Sequence, residues 1–416
     1  VTPRIAFFAP MKPPDHPVPS GDRSMARALI AALADNPAGW PVDLVSRLRT
    51  RDGAGDAAVQ ARLIAEAAAE AERLARDPRP WAVWVTYHSY WKAPDLIGPA
   101  VARARGIPYV QIEASRARSR LCGPWARFAA AAEAACDAAD AVFHLTARDA
   151  EALERDRPPG QRLVPLAPFL DRTDLPPLPD RGHAGRAGQP AGEGSGAGAA
   201  GALSRAGGER PARPPPGAAP GLHLLAVAMM RDGDKRASYA ALAAALAHVR
   251  TPFALTVAGD GPARDAVAAL LAPFAPALPG ALGPEALARA YAAADLLTWP
   301  GINEAFGMVY LEAQAHGLPV VAEDRPGIRD VVQEGGVLTP PGDPRAYAAA
   351  IDGLIADPAR RAALGTAGRA AVAARHLRPA ATATLWPVIA ALTARAASHS
   401  PATAPRARNA RAGRTA

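Results

Sequence analysis

Pro300-Gly301-Ile302-Asn303-Glu304-Ala305-Phe306-Gly307-Met308-Val309-Tyr310-Leu311-Glu312-Ala313 is the stretch on which the fold turns. It follows a short apolar run, residues 296–299, that reads as a buried strand, and it continues into an apolar helical pattern over 308–316. Pro-Gly marks a turn, and Phe306-Gly307 opens the helix. The first N–H groups of a helix have no partner within it, and the helix dipole adds partial positive charge there. A diphosphate suits such a place, with Gly307 permitting close approach. Glu304 falls in the loop, and Glu312 lies one and a half turns into the helix, about 7–9 Å along its axis. Each carboxylate can accept hydrogen bonds from a hydroxyl pair, one on a sugar and one on a ribose. The same two could serve as acid and nucleophile of a glycosidase, which needs roughly 5–10 Å between carboxyls. A pair carried by one helix and its lead-in loop suits binding better.

Outward from this stretch, strands and helices alternate. Residues 222–229, 253–258, 296–299 and 320–322 read as strands, and 239–248, 262–271, 284–294, 308–316, 345–356 and 358–376 as helices. The first part of the chain has the same rhythm, with strands at 5–9, 42–45, 82–86, 109–112, 141–144 and 163–165 and helices at 24–34, 57–76, 97–105, 125–135 and 147–155. Such alternation is the mark of parallel sheets with crossover helices. The expected fold is α/β: two Rossmann-like, doubly wound domains facing a cleft, at 1–170 and 221–380. Between them, 171–220 is dominated by Gly, Ala, Pro and scattered Arg, too little apolar bulk to offset its ordering entropy, so it reads as a flexible linker. An apolar helix within 381–400, at 383–396, is expected to return to the first domain, and 401–416 reads as a disordered basic tail.

Composition narrows the function. The net charge is +8, and Arg406, Arg408, Arg411 and Arg414 in the tail account for half of it. Elsewhere acids and bases interleave, which disfavours a nucleic-acid partner. Cys122 and Cys136 form no CxxC and no His/Cys cluster, as in a reducing compartment. The run Ile5–Ala9 is too short for a signal-peptide core, and no 18 uninterrupted apolar residues occur, so a cytoplasmic protein is expected.

Polar oddities fall just after the expected strands, where open parallel sheets bind ligands. Arg231 and Lys235 follow the strand at 222–229. Lys235 stands out because the chain has three lysines, Lys12, Lys92 and Lys235, among 47 basic residues. Asp232-Gly233-Asp234 forms a DxD that could hold a metal in another context. Gly259-Asp260-Gly261 lacks the third small residue of a dinucleotide fingerprint, because Arg264 stands there, which argues against a dehydrogenase. These two glycines serve either phosphate contact or a tight turn. After the first strand, Gly21, Asp22 and Arg23 precede a helix, where Gly21 permits close approach and Asp22 is either a ligand contact or a cap. His88 lies in Tyr87-His88-Ser89-Tyr90-Trp91, aromatics that either stack on a sugar or cover a sheet edge. Arg116, Arg118, Arg120 and Arg127, with Trp125 and Phe128, read either as a patch for anionic lipid or as a solvated loop.

Glu304-x7-Glu312 with Phe306-Gly307 between resembles the signature of glycosyltransferase family 4, retaining enzymes of the two-domain B fold. Val257–Pro262 resembles the family's glycine turn, Ala292–Asp295 and His316–Ala322 flank the signature as in the family, and Pro168-Phe169-Leu170-Asp171 resembles the close of its first domain. The resemblance implies a nucleotide-sugar donor, no metal, and no cofactor beyond that co-substrate. It implies catalytic roles for Lys235, Arg231 and Glu304, the two cations at the diphosphate, donor contact by Phe306, Gly307, Glu312, Gly21, Gly259 and Gly261, and an acceptor side at Asp22, Arg23, His88 and Glu113. The family's usual first-domain histidine is missing where Gln111-Ile112-Glu113-Ala114-Ser115 stands, and Glu113 takes related space. A glycan, glycolipid or small molecule is the expected acceptor. An epimerase or phosphorolytic enzyme of the same fold, or a weakly active sugar-nucleotide-binding scaffold, would share these features.

Overall fold

The computed structural model describes residues 1–18, 20–178 and 222–399. The expected linker, from 179 onward, and the expected tail at 401–416 lie outside the described residues. Contacts divide the chain into two units, Val1–Thr173 with Ala374–Ala416, and Asp174–Ala373.

The first unit holds β1 (Arg4–Phe8), α1 (Gly21–Ala34), β2 (Val42–Leu44), α2 (Ala57–Ala75), β3 (Trp81–Ser89), α3 (Gly98–Arg105), β4 (Tyr109–Ala114), α4 (Ala126–Ala138), β5 (Ala141–His144), α5 (Ala147–Arg155) and β6 (Arg162–Pro165). Its six strands lie in the order β2-β1-β3-β4-β5-β6, every pair parallel. A parallel sheet is buried on both faces, so its strands are near-continuous apolar runs. Ile5, Phe7, Phe8, Val83, Trp84 and Val110 are all fully buried.

The second unit holds β7 (Leu222–Val227), α6 (Asp234–Leu246), β8 (Phe253–Ala258), α7 (Arg264–Leu271), β9 (Ala277–Gly280), α8 (Pro284–Ala293), β10 (Leu296–Thr298), α9 (Met308–Ala315), β11 (Val320–Glu323), α10 (Ile328–Val332), β12 (Gly336–Thr339), α11 (Pro344–Ala356) and α12 (Pro358–Arg375). Its strand order is β12-β11-β10-β7-β8-β9, again parallel throughout. Both units are Rossmann-like. The edge strands β9 and β12, and the short α10, have no counterpart in the sequence reading.

The second unit ends at Ala373 rather than at 380. Leu170 pairs with Leu377 in a parallel bridge, and the Leu170 N–H donates to His376 O at 2.8 Å, tying the returning chain to the first unit. There α13 (Arg378–His399) packs on α1. Trp386 meets Trp40 edge-on at 5.2 Å, and the Thr382 hydroxyl donates to Ala32 O at 2.8 Å. By length and composition α13 is the one helix among the described residues apolar enough to cross a membrane, with Pro387 inside it.

Candidate active site

In the second unit, β7 lies between β8 and β10, so the chain winds away from it in both directions. At such a switch point the loops beyond the strand ends diverge and leave an opening. Lys235, second residue of α6, reaches from the loop after β7 to the loop after β10 and forms an ion pair with Glu304. Both side chains are mostly buried, 18% and 14% exposed. The Trp299 indole N–H donates to the same carboxylate oxygen at 3.2 Å, and the Lys235 ammonium lies 5.5 Å from that ring. Asn303, in the left-handed region at φ 54°, donates to Asp234 at 2.9 Å, and the Ile302 N–H donates to the Ser238 hydroxyl at 2.9 Å. The signature loop is thus stitched to the first two turns of α6. Arg231 is exposed and makes no ion pair among the described residues.

Gly307 caps α9 at φ 62°, and a Cβ there would come within 2.5 Å of the Tyr310 ring. Phe306 beside it is buried. Glu312 accepts a hydrogen bond from the Tyr291 hydroxyl at 2.7 Å. Burial raises its pKa, and the Tyr291 bond only partly opposes this. Tyr291 in turn stacks on His316 at 5.1 Å. Sequence reasoning missed both Trp299 and Tyr291, because each occupies a position that reads simply as core.

Gly259 and Gly261 have a packing task. A Cβ would lie 1.9 Å from Ala228 O at Gly259 and 2.3 Å from Met230 O at Gly261. Backbone bonds from Met230 N to Asp260 O and from Ala263 N to Met230 O, both 2.9 Å, hold this turn against the loop after β7. The two DxD carboxylates do not converge: Asp232 pairs with Arg236 at 3.1 Å, while Asp234 accepts from Asn303. Among the described residues no group of three or more His, Cys, Asp or Glu could hold a metal ion.

In the first unit the switch point falls between β1 and β3. The helix cap there is Ser20, whose hydroxyl accepts from the Arg23 N–H at 3.3 Å, so Asp22 is not the cap. Arg23 donates from its guanidinium to Pro17 O at 3.3 Å. Gly21 opens α1 with nothing within 4 Å of its Cβ position. Asp22 instead reaches His88, its Oδ1 3.0 Å from Nδ1, and Oε1 of Glu113 lies 3.9 Å from the same nitrogen. His88 and Glu113 belong to β3 and β4 rather than to the loops beyond. The ladder pairs Tyr87 with Ile112 and Ser89 with Ala114, so the two face each other between these pairs. Both sit in the left-handed region, φ 57° and 58°. Non-glycine residues occupy it at a cost, and such strain concentrates at functional sites.

Burial works to lower the His88 pKa, but the charge of Glu113 and the hydrogen bond and charge of Asp22 outweigh it and raise it to about 9. Burial pushes Glu113 up, although His88 pulls the other way. Burial pushes Asp22 up most strongly of any single cause, yet the bond and charge of His88, a backbone hydrogen bond and the charge of Lys12 together leave it below the usual carboxylate range.

The arginine patch needs correction. The Arg116 side chain is 2% exposed, held by Glu133 at 2.7 Å and Asp137 at 2.5 Å, and Phe128 is fully buried. Arg118 pairs with Asp156 at 3.1 Å. Only Arg120, 4.6 Å over the Trp91 ring, and the exposed Arg127 remain outside ion pairs among the described residues. The charge of Arg116 is spent inside the unit, tethering the loop after β4 to α4.

Residues 221–357 match the family model described as Glycosyl transferases group 1. That matched stretch lies within the second unit. The match embraces Lys235, Glu304 and Glu312, so the stitched loops lie within the matched stretch. A D-inositol 3-phosphate glycosyltransferase of Thermobispora bispora is 50% identical over 99 residues, 23% of this chain and 23% of that protein. The matched stretches thus span less than a quarter of the length of the first curated relatives. Among solved structures, a sucrose-phosphate synthase from Thermosynechococcus elongatus superposes with a TM-score of 0.66 at 21% identity, covering 94% of this chain and all of that one. Anabaena HepE in complex with UDP and glucose superposes at 0.60 and 15% identity, covering 93% and 99%. The fold is that of the GT-B glycosyltransferases.

Proposed function

We propose that the protein is a metal-independent, retaining glycosyltransferase of the family 4 kind, acting in the cytoplasm on a nucleotide-sugar donor. The observation that carries this is Lys235 paired with Glu304 at the switch point of the glycosyl transferase domain. A cation in the first turn of a helix is opposed by that helix's dipole. Its place there makes sense when an anion joins it, and a diphosphate is that anion. The UDP and glucose bound by HepE support a sugar nucleotide as its source.

In this reading Lys235 and Arg231 offset the charge that develops on the departing diphosphate, the main catalytic device. Glu304 and Glu312 accept from sugar and ribose hydroxyls, and Phe306 and Gly307 shape the phosphate seat. Gly259 and Gly261 keep the turn beneath it in place. Asp22, Arg23, His88 and Glu113 handle the acceptor, a glycan, glycolipid or small molecule. The leaving phosphate helps to take the acceptor proton.

Thermal unfolding with UDP, GDP, ADP and their sugars tests this, repeated with Lys235→Ala and Glu312→Ala. A ligand at 100 times its Kd stabilises by about 2.7 kcal/mol. One nucleotide should do so in the parent protein and in neither variant. A folded protein that responds to none of them is not this enzyme.

A further inference from the structure

Within that transferase reading, the side-chain cluster at the end of β3 carries a more specific assignment. Both carboxylates that reach His88 do so at Nδ1: Asp22 at 3.0 Å and Glu113 at 3.9 Å. No partner approaches Nε2 among the described residues, and the side chain keeps 18% of its surface open. Glu113 is itself only 9% exposed, and its Oε2 has no hydrogen-bond partner among the described residues. The ring is therefore anchored from behind by two acids and presents its other nitrogen outward.

We propose that His88 is a fixed, doubly protonated hydrogen-bond donor whose Nε2–H grips a non-reacting hydroxyl oxygen of the acceptor, with Asp22 and Glu113 as its positioning residues. An Asp–His couple with a free Nε2 is also the geometry of a general base. The second carboxylate separates the two roles. One acid fixes the tautomer and leaves Nε2 free to accept a proton, whereas two acids on one ring retain both ring protons. A ring with both protons cannot take one from the attacking hydroxyl, so the oxygen it holds is a neighbouring one. When the ring loses its proton, Nδ1–H stays with Asp22 and Nε2 turns from donor to acceptor, and the grip reverses.

The charged and titratable groups around the ring are Asp22 from α1, Glu113 from β4, Asp149 from the first turn of α5, and Tyr87 and Tyr90 beside it in sequence. Lys12, from the loop after β1, acts on Asp22. Burial and the nearby acids raise the Tyr87 pKa well above its usual value, so that group stays neutral throughout. His88 titrates near 9, so the donor form persists through neutral pH.

The test is nitrogen NMR of the histidine rings in the full-length protein, with the His88 signals assigned by their loss in His88→Gln. Both ring nitrogens should carry protons at neutral pH, and the titration midpoint should fall by about one unit or more in Asp22→Asn. Ser20 caps α1 without Asp22, and the substitution is isosteric, so the helix start is preserved. Glucose in excess, added to the UDP-saturated protein, should move the Nε2 signal and leave Nδ1 largely in place. In a transfer assay, His88→Gln, whose amide keeps a neutral donor, should retain a lower acceptor KM than His88→Ala, with kcat less affected. A neutral ring at neutral pH, or a rate that rises as the ring deprotonates, overturns the assignment. Absence of UDP binding would instead remove the transferase reading, leaving the ring's protonation to be judged on its own signals.

Discussion

Replacing Gly259 by alanine should destabilise the second unit sharply, whereas the same change at Gly21 should not affect stability. The new Cβ at Gly259 would lie 1.9 Å from Ala228 O and 3.0 Å from its carbonyl carbon. Relief needs a displacement of more than about 1 Å, since carbon and oxygen atoms pack at roughly 3.5 Å. Neither side is free to move. Ala228 donates its N–H to Ala258 O at 3.1 Å and accepts from the Tyr239 hydroxyl at 2.8 Å, and Gly259 donates its N–H to Gly280 O at 2.9 Å. Overpacking of this kind costs about 2–3 kcal/mol. For a unit of this size that is a loss of about 4–12 °C in Tm. At Gly21 nothing lies within 4 Å, and the residue opens a helix, where alanine is favoured over glycine. Calorimetry on the full chain, with UDP titration of each variant, separates packing from ligand contact. A Gly259→Ala protein that melts with the parent but binds UDP poorly would refute the packing argument and return this glycine to the ligand.

Arg116→Ala should lower stability by about 3–5 kcal/mol, the cost of stripping one partner from a buried pair, because Glu133 is left without its guanidinium. Chemical denaturation measures this, and an unchanged midpoint with weaker binding to anionic vesicles would restore the surface patch. Tyr291→Phe should cost about 1–2 kcal/mol by leaving a buried acceptor short of its donor. Since that bond holds the Glu312 pKa down against burial, its loss raises the pKa further. UDP affinity should then fall at a higher pH in the variant than in the parent as the solution is acidified, and coincident pH curves would show that Glu312 does not contact the nucleotide.

The sheets were legible because parallel strands, buried on both faces, leave apolar runs that composition cannot disguise. Phe253–Ala258 and Ala141–His144 coincide with their sequence assignments. What escaped were β9, with Pro279 in it and one partner, β12, beginning at a glycine, and α10, too short to show a period. For the site, position after an expected strand singled out Glu304 and His88, and the scarcity of lysine singled out Lys235, although His88 lies within β3. It was not enough to pair Asp22 with His88, because that bond spans 66 residues. Local spacing carries no information about such a contact. Arg116 misled for a related reason: arginine is usually exposed, and the acids that bury this one lie on the following helix, at Glu133 and Asp137.

The two units repeat one construction with the signs reversed. In each, the second residue of the helix after the first strand pairs with a residue beyond or at the end of the neighbouring strand across the switch point: Asp22 with His88, and Lys235 with Glu304. The helix dipole makes these two arrangements unequal. Asp22 in the first turn of α1 is favoured by the dipole and by His88, so an incoming anion has nothing to gain by displacing it. Lys235 in the first turn of α6 is opposed by its dipole and kept in place by one carboxylate, so an anion that binds there satisfies both the ammonium and the helix terminus. On the proposed function, this inequality favours a diphosphate at the second unit over the acid-flanked edge of the first. Neutralising the first pair alone, as Asp22→Asn with His88→Gln, would remove that inequality while leaving the Lys235–Glu304 pair in place.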